Sequence, residues 1–169
     1  MRRVLSICFV GLALAGVSAC TPTVVVEPAP QATSAACADV MLRLPDTIGD
    51  FKNRKTSAQA TDAWGDPTSV ILRCGMEPPA PTTDPCVHVD GVDWISVEEK
   101  DDSWRFVAYG RAPSVEVIVD PKKVSGANVL TAVSGAVSTL EKTGECVSTK
   151  DATVVDENNN PIATESPTP

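Results

Sequence analysis

The chain has 169 residues, which suits one domain of ordinary size with terminal extensions. Hydrophobic residues make up 43% and charged residues 21%, so a folded core is expected, and the composition argues against disorder of the whole chain. The formal charge of −8 argues against a nucleic-acid partner, because nucleic-acid grooves need clustered Lys and Arg. A single histidine also narrows the range of possible enzymes.

The N-terminus carries the pattern of a lipoprotein signal. Two arginines precede an apolar stretch from Val4 to Ala19, and small residues stand directly before Cys20. The pattern predicts a signal peptide over residues 1–19 and a lipid anchor with a palmitate chain on Cys20. The alternative is an ordinary signal peptide in which Cys20 is incidental. We expect an extracytoplasmic protein, attached to the outer face of the cytoplasmic membrane through its lipid.

Composition divides the mature chain into three parts. Residues 20–36 contain three prolines among Thr, Ala, Val and Gln, which predicts a flexible tether behind the lipidated cysteine. Residues 37–148 hold the apolar patterns of a folded domain. Residues 149–169 are polar and end with prolines, which predicts a disordered tail.

Within the domain, apolar periodicity and turn residues predict helix, strands and helix, in that order. Residues 51–63 are polar with scattered alanines and predict a loop or a second short helix. The other predicted elements are a helix at 38–44, a strand at 69–74, a proline-rich loop at 76–85, a hairpin of strands at 86–89 and 92–98, a charged turn at 98–102, strands at 104–109 and 114–119, and a helical stripe from 129 to 140. This order predicts an α+β two-layer sandwich, in which an antiparallel sheet of four to five strands carries the N- and C-terminal helices on one face.

Four cysteines remain after Cys8 and Cys20 are set aside, and an even number in an oxidising compartment predicts two disulfides. Three pairings are possible. We favour Cys37 with Cys146, at the two ends of the domain, and Cys74 with Cys86, around the proline-rich loop. The alternative is a zinc site built from the four thiols and His88, but the spacing lacks the paired Cys-x-x-Cys of structural zinc sites. We therefore expect no metal and no cofactor.

No catalytic constellation is visible. His88 stands between two valines on a predicted strand and is interpreted as a surface histidine. Asp66, Asp90, Asp93 and Glu116 are candidates for a glycosidase pair. Asp66 precedes a proline and Asp90 precedes a glycine, so both are better explained as turn residues. A carboxylate-based cell-wall hydrolase remains an alternative function.

Three tryptophans and two arginines are the residues that folding explains least. A possible ligand surface would consist of Trp64, Arg73, Trp94, Trp104 and Arg111. The aromatic rings can stack on sugars or on a partner, and the guanidinium groups can hold carboxylates. The favoured alternative places the aromatic side chains in the core and pairs each arginine with a neighbouring acid.

Short motifs occur in a characteristic order: WGDP at 64–67, VILRCG at 70–75, Cys86, GVDW at 91–94, YGRAP at 109–113 and VEV at 115–117. In this combination the chain, from about Cys37 to Cys146, resembles the domain-of-unknown-function family 3515. The resemblance implies an actinobacterial protein, secreted or lipid-anchored in the cell envelope. It implies no activity, substrate or catalytic residue.

These observations predict a non-enzymatic accessory or binding module whose partner is an envelope protein or a cell-wall component. The alternatives are a lipoprotein that binds a glycan or small ligand, and the hydrolase. A concave apolar pocket lined by Trp94 or Trp104 favours ligand binding. Two carboxylates facing one cleft favour the hydrolase. An exposed strand edge or apolar patch favours the accessory module.

Overall fold

The computed structural model describes residues 22–147. The predicted signal peptide, Cys20 and the predicted tail lie outside this range. The two helices are α1 (Ala35–Met41) and α2 (Gly126–Val137). The strands are β1 (Thr47–Ile48), β2 (Phe51–Arg54), β3 (Thr61–Trp64), β4 (Val70–Met76), β5 (Cys86–Val89), β6 (Val92–Glu98), β7 (Trp104–Tyr109), β8 (Arg111–Ala112), β9 (Ser114–Val119) and β10 (Glu141–Lys142). Neither helix in the described range is long and apolar enough to cross a membrane.

Eight strands form one sheet in the order β1-β2-β3-β4-β9-β7-β6-β5, and every pair of neighbours is antiparallel. Strands β8 and β10 pair separately. The predicted two-layer α+β sandwich with four to five strands is therefore wrong, because the fold is mostly β, with one large sheet and two short helices. The bounds of β5, β6, β7 and β9 agree with the prediction, since each strand shows a clear apolar pattern of its own.

The additional strands arise largely from a segment that was interpreted as a loop or short helix. Strand β2 reads FKNR, and this polar stretch lacks the alternation that identifies a strand. It is a strand because its main chain pairs with β3, where Asn53 lies opposite Trp64 and Arg54 lies opposite Ala63. Pairing with neighbours decides the structure of such a segment, and local propensity does not.

Helix α2 is the centre of the core. Its buried residues include the predicted stripe at 129, 130, 133 and 137, although the helix ends at Val137 and not at Leu140. The helix contacts β1 and β5 at the two ends of the sheet and β9 in its middle. The sheet therefore curls around α2. Helix α1 begins three residues before its predicted start at Ala38, and its buried residues Cys37 and Val40 lie one helical turn apart.

The segment before α1 is packed against the domain. Ala29 and Ala32 are buried, and the Gln31 amide donates to the Gly75 carbonyl at 2.8 Å. Gly75 has no side chain at this contact, where a Cβ would lie 2.4 Å from the Gln31 carbonyl carbon. The interpretation of residues 20–36 as a flexible tether is therefore wrong for residues 22–36, since the composition did not reveal these main-chain contacts. The domain begins before its predicted boundary at Cys37.

All four domain cysteines form disulfides, but the predicted pairing is wrong. The bonds join Cys37 to Cys74 and Cys86 to Cys146. Cys74 and Cys86 cannot close the proline-rich loop because they lie on opposite faces of the sheet. Cys74 is fully buried on the face of the sheet that packs against the helices. Cys86 is exposed on the other face, because the side chains of its neighbours on β5 alternate with it and point toward the helices. Helix α1 instead places Cys37 against β4, where it bonds to Cys74.

Candidate functional site, an apolar cleft at Trp104

The structure does not bring the residues of the predicted ligand surface together. Trp64 and Trp94 have no exposed surface. The Trp64 Nε1 donates to the Pro45 carbonyl at 3.0 Å, and the Trp94 Nε1 donates to the Ser134 hydroxyl of α2 at 3.1 Å. Both indoles are core side chains whose polar atoms are satisfied internally. The core interpretation holds for these two residues, and they offer no surface to a ligand.

The two arginines of the predicted surface also have internal partners. Arg111 is buried and donates to the Gly91 carbonyl at 2.7 Å and to two main-chain carbonyls that follow α2. Arg73 pairs with Glu116 on the neighbouring strand. Arg111 therefore joins the β5–β6 turn to the end of α2, and Arg73 neutralises a buried acid. Neither guanidinium lies beside the third tryptophan.

Trp104 is different, because it is half-buried and lines a cleft of about 290 Å³. The cleft lies on the helix face of the sheet, between β5, β6, β7 and β9 and the beginning of α2. Its other lining residues are Val87, Ser96, Phe106, Val119, Pro121, Gly126 and Ala127. Its volume lies just below the range of about 300–1,000 Å³ that is typical of small-molecule sites.

Two elements shape the cleft. Trp104 and Phe106 alternate along β7, so they share one face of the sheet, and their rings stack with centroids 6.3 Å apart and planes inclined by 20°. Gly126 is the first residue of α2, where a Cβ would lie 2.8 Å from Cζ of Phe106. The absence of a side chain there allows α2 to begin directly against the Phe106 ring.

The chemistry of the cleft is apolar. Ser96 supplies the one hydroxyl among the side chains that line it, and no charged side chain is among them. Val87 is 41% exposed at the rim. The sequence signal for part of this site was the Trp104–Phe106 spacing on β7. The other lining residues were missed because they come from four segments that only the tertiary structure brings together.

Two of the candidate carboxylates are turn residues, as interpreted from the sequence. Asp66 stands in the β3–β4 turn before a cis proline, with its Oδ1 3.3 Å from Nη1 of Arg54. Asp90 has a positive φ of 47° and precedes Gly91 in the β5–β6 hairpin. Both aspartates therefore lie in tight turns, where short polar side chains are favoured.

The other two carboxylates are held by structural partners. Asp93 accepts from the Cys146 amide at 2.8 Å, and its other oxygen lies 2.7 Å from Nδ1 of the exposed His88. Glu116 is buried against Arg73. Within residues 22–147, the hydrogen-bond partners of His88 and Asp93 include no hydroxyl and no free thiol. The two side chains therefore form a hydrogen bond at the surface and not part of a catalytic triad.

One cluster has the ligand types of a metal site. Atoms of Cys86, Asp93 and Cys146 lie within 4.8 Å of one another. The two sulfurs are bonded to each other, so neither is available as a thiolate ligand. The same disulfides remove the thiolates that the alternative zinc site required.

The acidic side chains of the turn between β6 and β7 form hydrogen bonds and ion pairs with nearby residues. The hydroxyl and amide of Ser103 donate to Asp101 and lower the pKa of that carboxyl below its ordinary value. Asp102 pairs with Lys122 at 3.0 Å and raises the pKa of that ammonium. This turn is a solvated hairpin tip with internal ion pairs.

Comparison with known proteins gives one family. A family model described as "Protein of unknown function (DUF3515)" matches residues 4–145. No curated protein and no solved structure matches the chain significantly.

Proposed function

The chain belongs to the DUF3515 family, whose description names no activity, and we propose that it is a non-enzymatic binding module of the cell envelope that holds an apolar group in the Trp104 cleft. The observation that carries this proposal is the cleft itself. It is open to solvent, it is lined by one of the tryptophans singled out in the sequence, and its lining is apolar.

The lining favours an aliphatic or aromatic group over a glycan. Sugar recognition requires several hydrogen-bonding side chains around a stacking ring, and Ser96 alone has that chemistry among the lining residues. Trp104 and Phe106 instead provide a continuous aromatic wall. An aromatic or branched side chain of a protein partner, or a short aliphatic chain, suits this wall.

The location of the module is the second part of the proposal. A signal peptide over residues 1–19 and a lipid on Cys20 would place it outside the cytoplasmic membrane. The two disulfides support an oxidising compartment.

Pairing of a partner chain along strand β5 is the second candidate. This strand is the last in the sheet, and its residues Cys86, Val87 and His88 are exposed. An edge strand can pair with an extended segment of another chain, and Val87 would then bring that segment to the rim of the cleft.

The alternative function, a carboxylate-based cell-wall hydrolase, has less support. Asp66 pairs with Arg54, Asp93 accepts from the Cys146 amide, and Glu116 is paired with Arg73. Asp90 lies in the tight β5–β6 turn. We therefore assign no catalytic residue.

Binding of N-phenyl-1-naphthylamine, an uncharged fluorescent probe, tests the cleft. The mature chain with Cys20→Ser should bind the probe, and Trp104→Ala should weaken binding about tenfold or more, because it removes the aromatic wall. Leu42→Ala is the control, since Leu42 is 83% exposed and lines a separate pocket beside α1. If Leu42→Ala lowers the affinity and Trp104→Ala does not, the ligand site lies beside α1 and the proposal is wrong.

Membrane fractionation tests the location. Cys20→Ser should move the protein from the detergent phase to the aqueous phase, whereas Cys8→Ser should not, because Cys8 lies in the predicted signal peptide. Unchanged partitioning of the Cys20 variant would contradict the lipid anchor.

A further inference from the structure

Arg54 attaches the beginning of the described chain to one end of the sheet. Its Nη2 donates to the Pro22 carbonyl at 2.8 Å, and its Nη1 donates to the Gly65 carbonyl at 3.1 Å. The Arg54 side chain is 9% exposed, and it reaches Asp66 and Thr68 in the same β3–β4 turn. Pro22 is therefore held beside the β3–β4 turn.

The direction of the chain agrees with this attachment. Val24 forms a parallel bridge with Thr56, and its amide and carbonyl bond to the Lys55 carbonyl and the Ser57 amide, both at 2.9 Å. Because the bridge is parallel, the path from Val24 back to Pro22 runs in the same direction as the path from Thr56 back to Arg54. It thus leads to the end of the sheet where the β3–β4 turn lies.

Cys20 stands two residues before Pro22, so the chain between them can span at most about 7 Å. A lipid on Cys20 would thus attach the domain to the bilayer at this end of the sheet, without a long linker.

The Trp104 cleft lies at the same end. Trp64 is opposite Val70, Val70 is opposite Val119, and Val119 is opposite Trp104, so the four residues form one row across the end of the sheet. Three strand spacings separate Trp64 from Trp104, about 14 Å along the sheet. Gly65, the neighbour of Trp64, is the residue that Arg54 binds.

We propose that this end of the sheet faces the bilayer and that the cleft takes an acyl chain of a membrane lipid. The inference rests on the proposed lipid anchor and on the apolar cleft, and it names the ligand class. A half-buried indole at the rim of an apolar cleft suits the interface between acyl chains and headgroups.

The charges at this end indicate the kind of bilayer surface. Strand β6 ends at Glu98, and the β6–β7 turn that leads into Trp104 carries Glu99, Asp101 and Asp102 against Lys100. Glu99 pairs with Arg105 and Asp102 pairs with Lys122. An acidic turn does not attract anionic headgroups. Insertion therefore depends on the apolar cleft and not on attraction to charged headgroups.

Tryptophan quenching tests the orientation, because Trp104 is partly exposed while Trp64 and Trp94 are fully buried. The full lipidated chain is reconstituted in phosphatidylcholine vesicles with and without brominated acyl chains. Bromine should quench part of the tryptophan emission, and Trp104→Phe should abolish that loss. An unquenched wild type, or equal quenching in Trp104→Phe, would overturn the inference.

A linker variant tests the short attachment. Ten Gly and Ser residues inserted between Thr21 and Pro22 leave the lipid and the domain intact but lengthen the connection by about 17 Å. The protein should remain on the vesicles while the bromine quenching falls at least twofold. The same linker added after Pro169 is the control and should change nothing. Equal quenching with and without the N-terminal linker would contradict the fixed orientation.

The two proposals can fail separately. If the Cys20→Ser chain binds the naphthylamine probe but the lipidated chain shows no bromine quenching, the cleft binds an apolar ligand that is not a bilayer lipid. If probe binding and quenching are both absent, the binding function itself is wrong.

Discussion

Arg73 and Glu116 are direct neighbours across β4 and β9, and the arginine donates through both Nε and Nη2 to one carboxylate oxygen, with the Nε contact at 2.8 Å. Glu116 is 3% exposed, and its second oxygen lies 3.9 Å from Nη1 of Arg105 on β7. A carboxylate this deeply buried needs the arginine as its counter-charge. The pair is therefore part of the fold and not of a ligand site.

Removal of the arginine leaves the acid without its main partner. Arg73→Met should lower the free energy of unfolding by about 3 kcal/mol, at the lower end of the range for a broken buried pair because Arg105 remains. Urea denaturation measures this loss. Arg43→Met is the control, since its ion pair with Asp39 is exposed and contributes about 0.5 kcal/mol or less. Equal effects of the two variants would contradict the structural role of Arg73.

Two glycines of α2 should respond to alanine in opposite ways. At Gly126 a Cβ would lie 2.8 Å from the Phe106 ring, so Gly126→Ala should move that ring and weaken probe binding in the cleft. At Gly135 a Cβ meets nothing within 4 Å, and Gly135→Ala should stabilise the helix by about 0.5–1 kcal/mol without affecting binding. Probe titration and thermal unfolding of both variants separate these effects. A Gly126→Ala protein with unchanged affinity would show that the cleft tolerates displacement of Phe106.

The two disulfides should differ in their accessibility to reductant. Cys37 and Cys74 are fully buried, whereas Cys86 is exposed. Thiol exchange requires access to a sulfur, so mild reduction of the native protein should open Cys86–Cys146 first. Alkylation followed by peptide mass spectrometry measures the order of opening. A peptide that links Cys37 to Cys146 in the unreduced protein would contradict the observed pairing.

The buried bond also contributes to stability. It closes a loop with a sequence separation of 37 residues, which corresponds to about 4 kcal/mol in the chain-entropy model. The double change of Cys37 and Cys74 to alanine should lower the unfolding free energy by an amount of this order, measured by urea denaturation without reductant.

Asp62 should make stability depend on pH. Burial raises the pKa of Asp62 above its ordinary value of 3.8, while hydrogen bonds from Asn53 and the Ala63 amide oppose the shift. As the pH rises past 3.8, the carboxyl ionises first in the unfolded chain, and the folded state loses stability until its own Asp62 ionises. Asp62→Asn should therefore gain stability relative to the wild type as the pH rises from about 3 to 7, measured by urea denaturation.

Asp101 provides the control of opposite sign. Hydrogen bonds from Ser103 lower the pKa of Asp101, so its contribution is present above the ordinary value of 3.8 and is lost as the pH falls below it. Asp101→Asn should thus lose stability relative to the wild type as the pH rises through this region. The same trend in both variants would contradict the assigned causes of the two shifts.

Local patterns were sufficient for the central strands and insufficient for the candidate site. Val115, Val117 and Val119 alternate in β9 as predicted, because one face of the strand is buried. Trp104 was identified as a possible ligand residue, but it was grouped with Trp64 and Trp94, which have no exposed surface. The exposure of a tryptophan depends on what packs over it, and neighbouring residues in the sequence do not reveal that.

The sequence by itself determined the features that depend on short segments of chain: the signal pattern, the family resemblance, the even number of domain cysteines, four strands and the apolar stripe of α2. The tertiary structure alone decided which strands pair, which cysteines bond, where residues 22–36 lie and which tryptophan reaches the surface. Those outcomes depend on contacts between residues far apart in the chain. The energies of these contacts compete over the whole fold, so no local sequence pattern reveals which of them form.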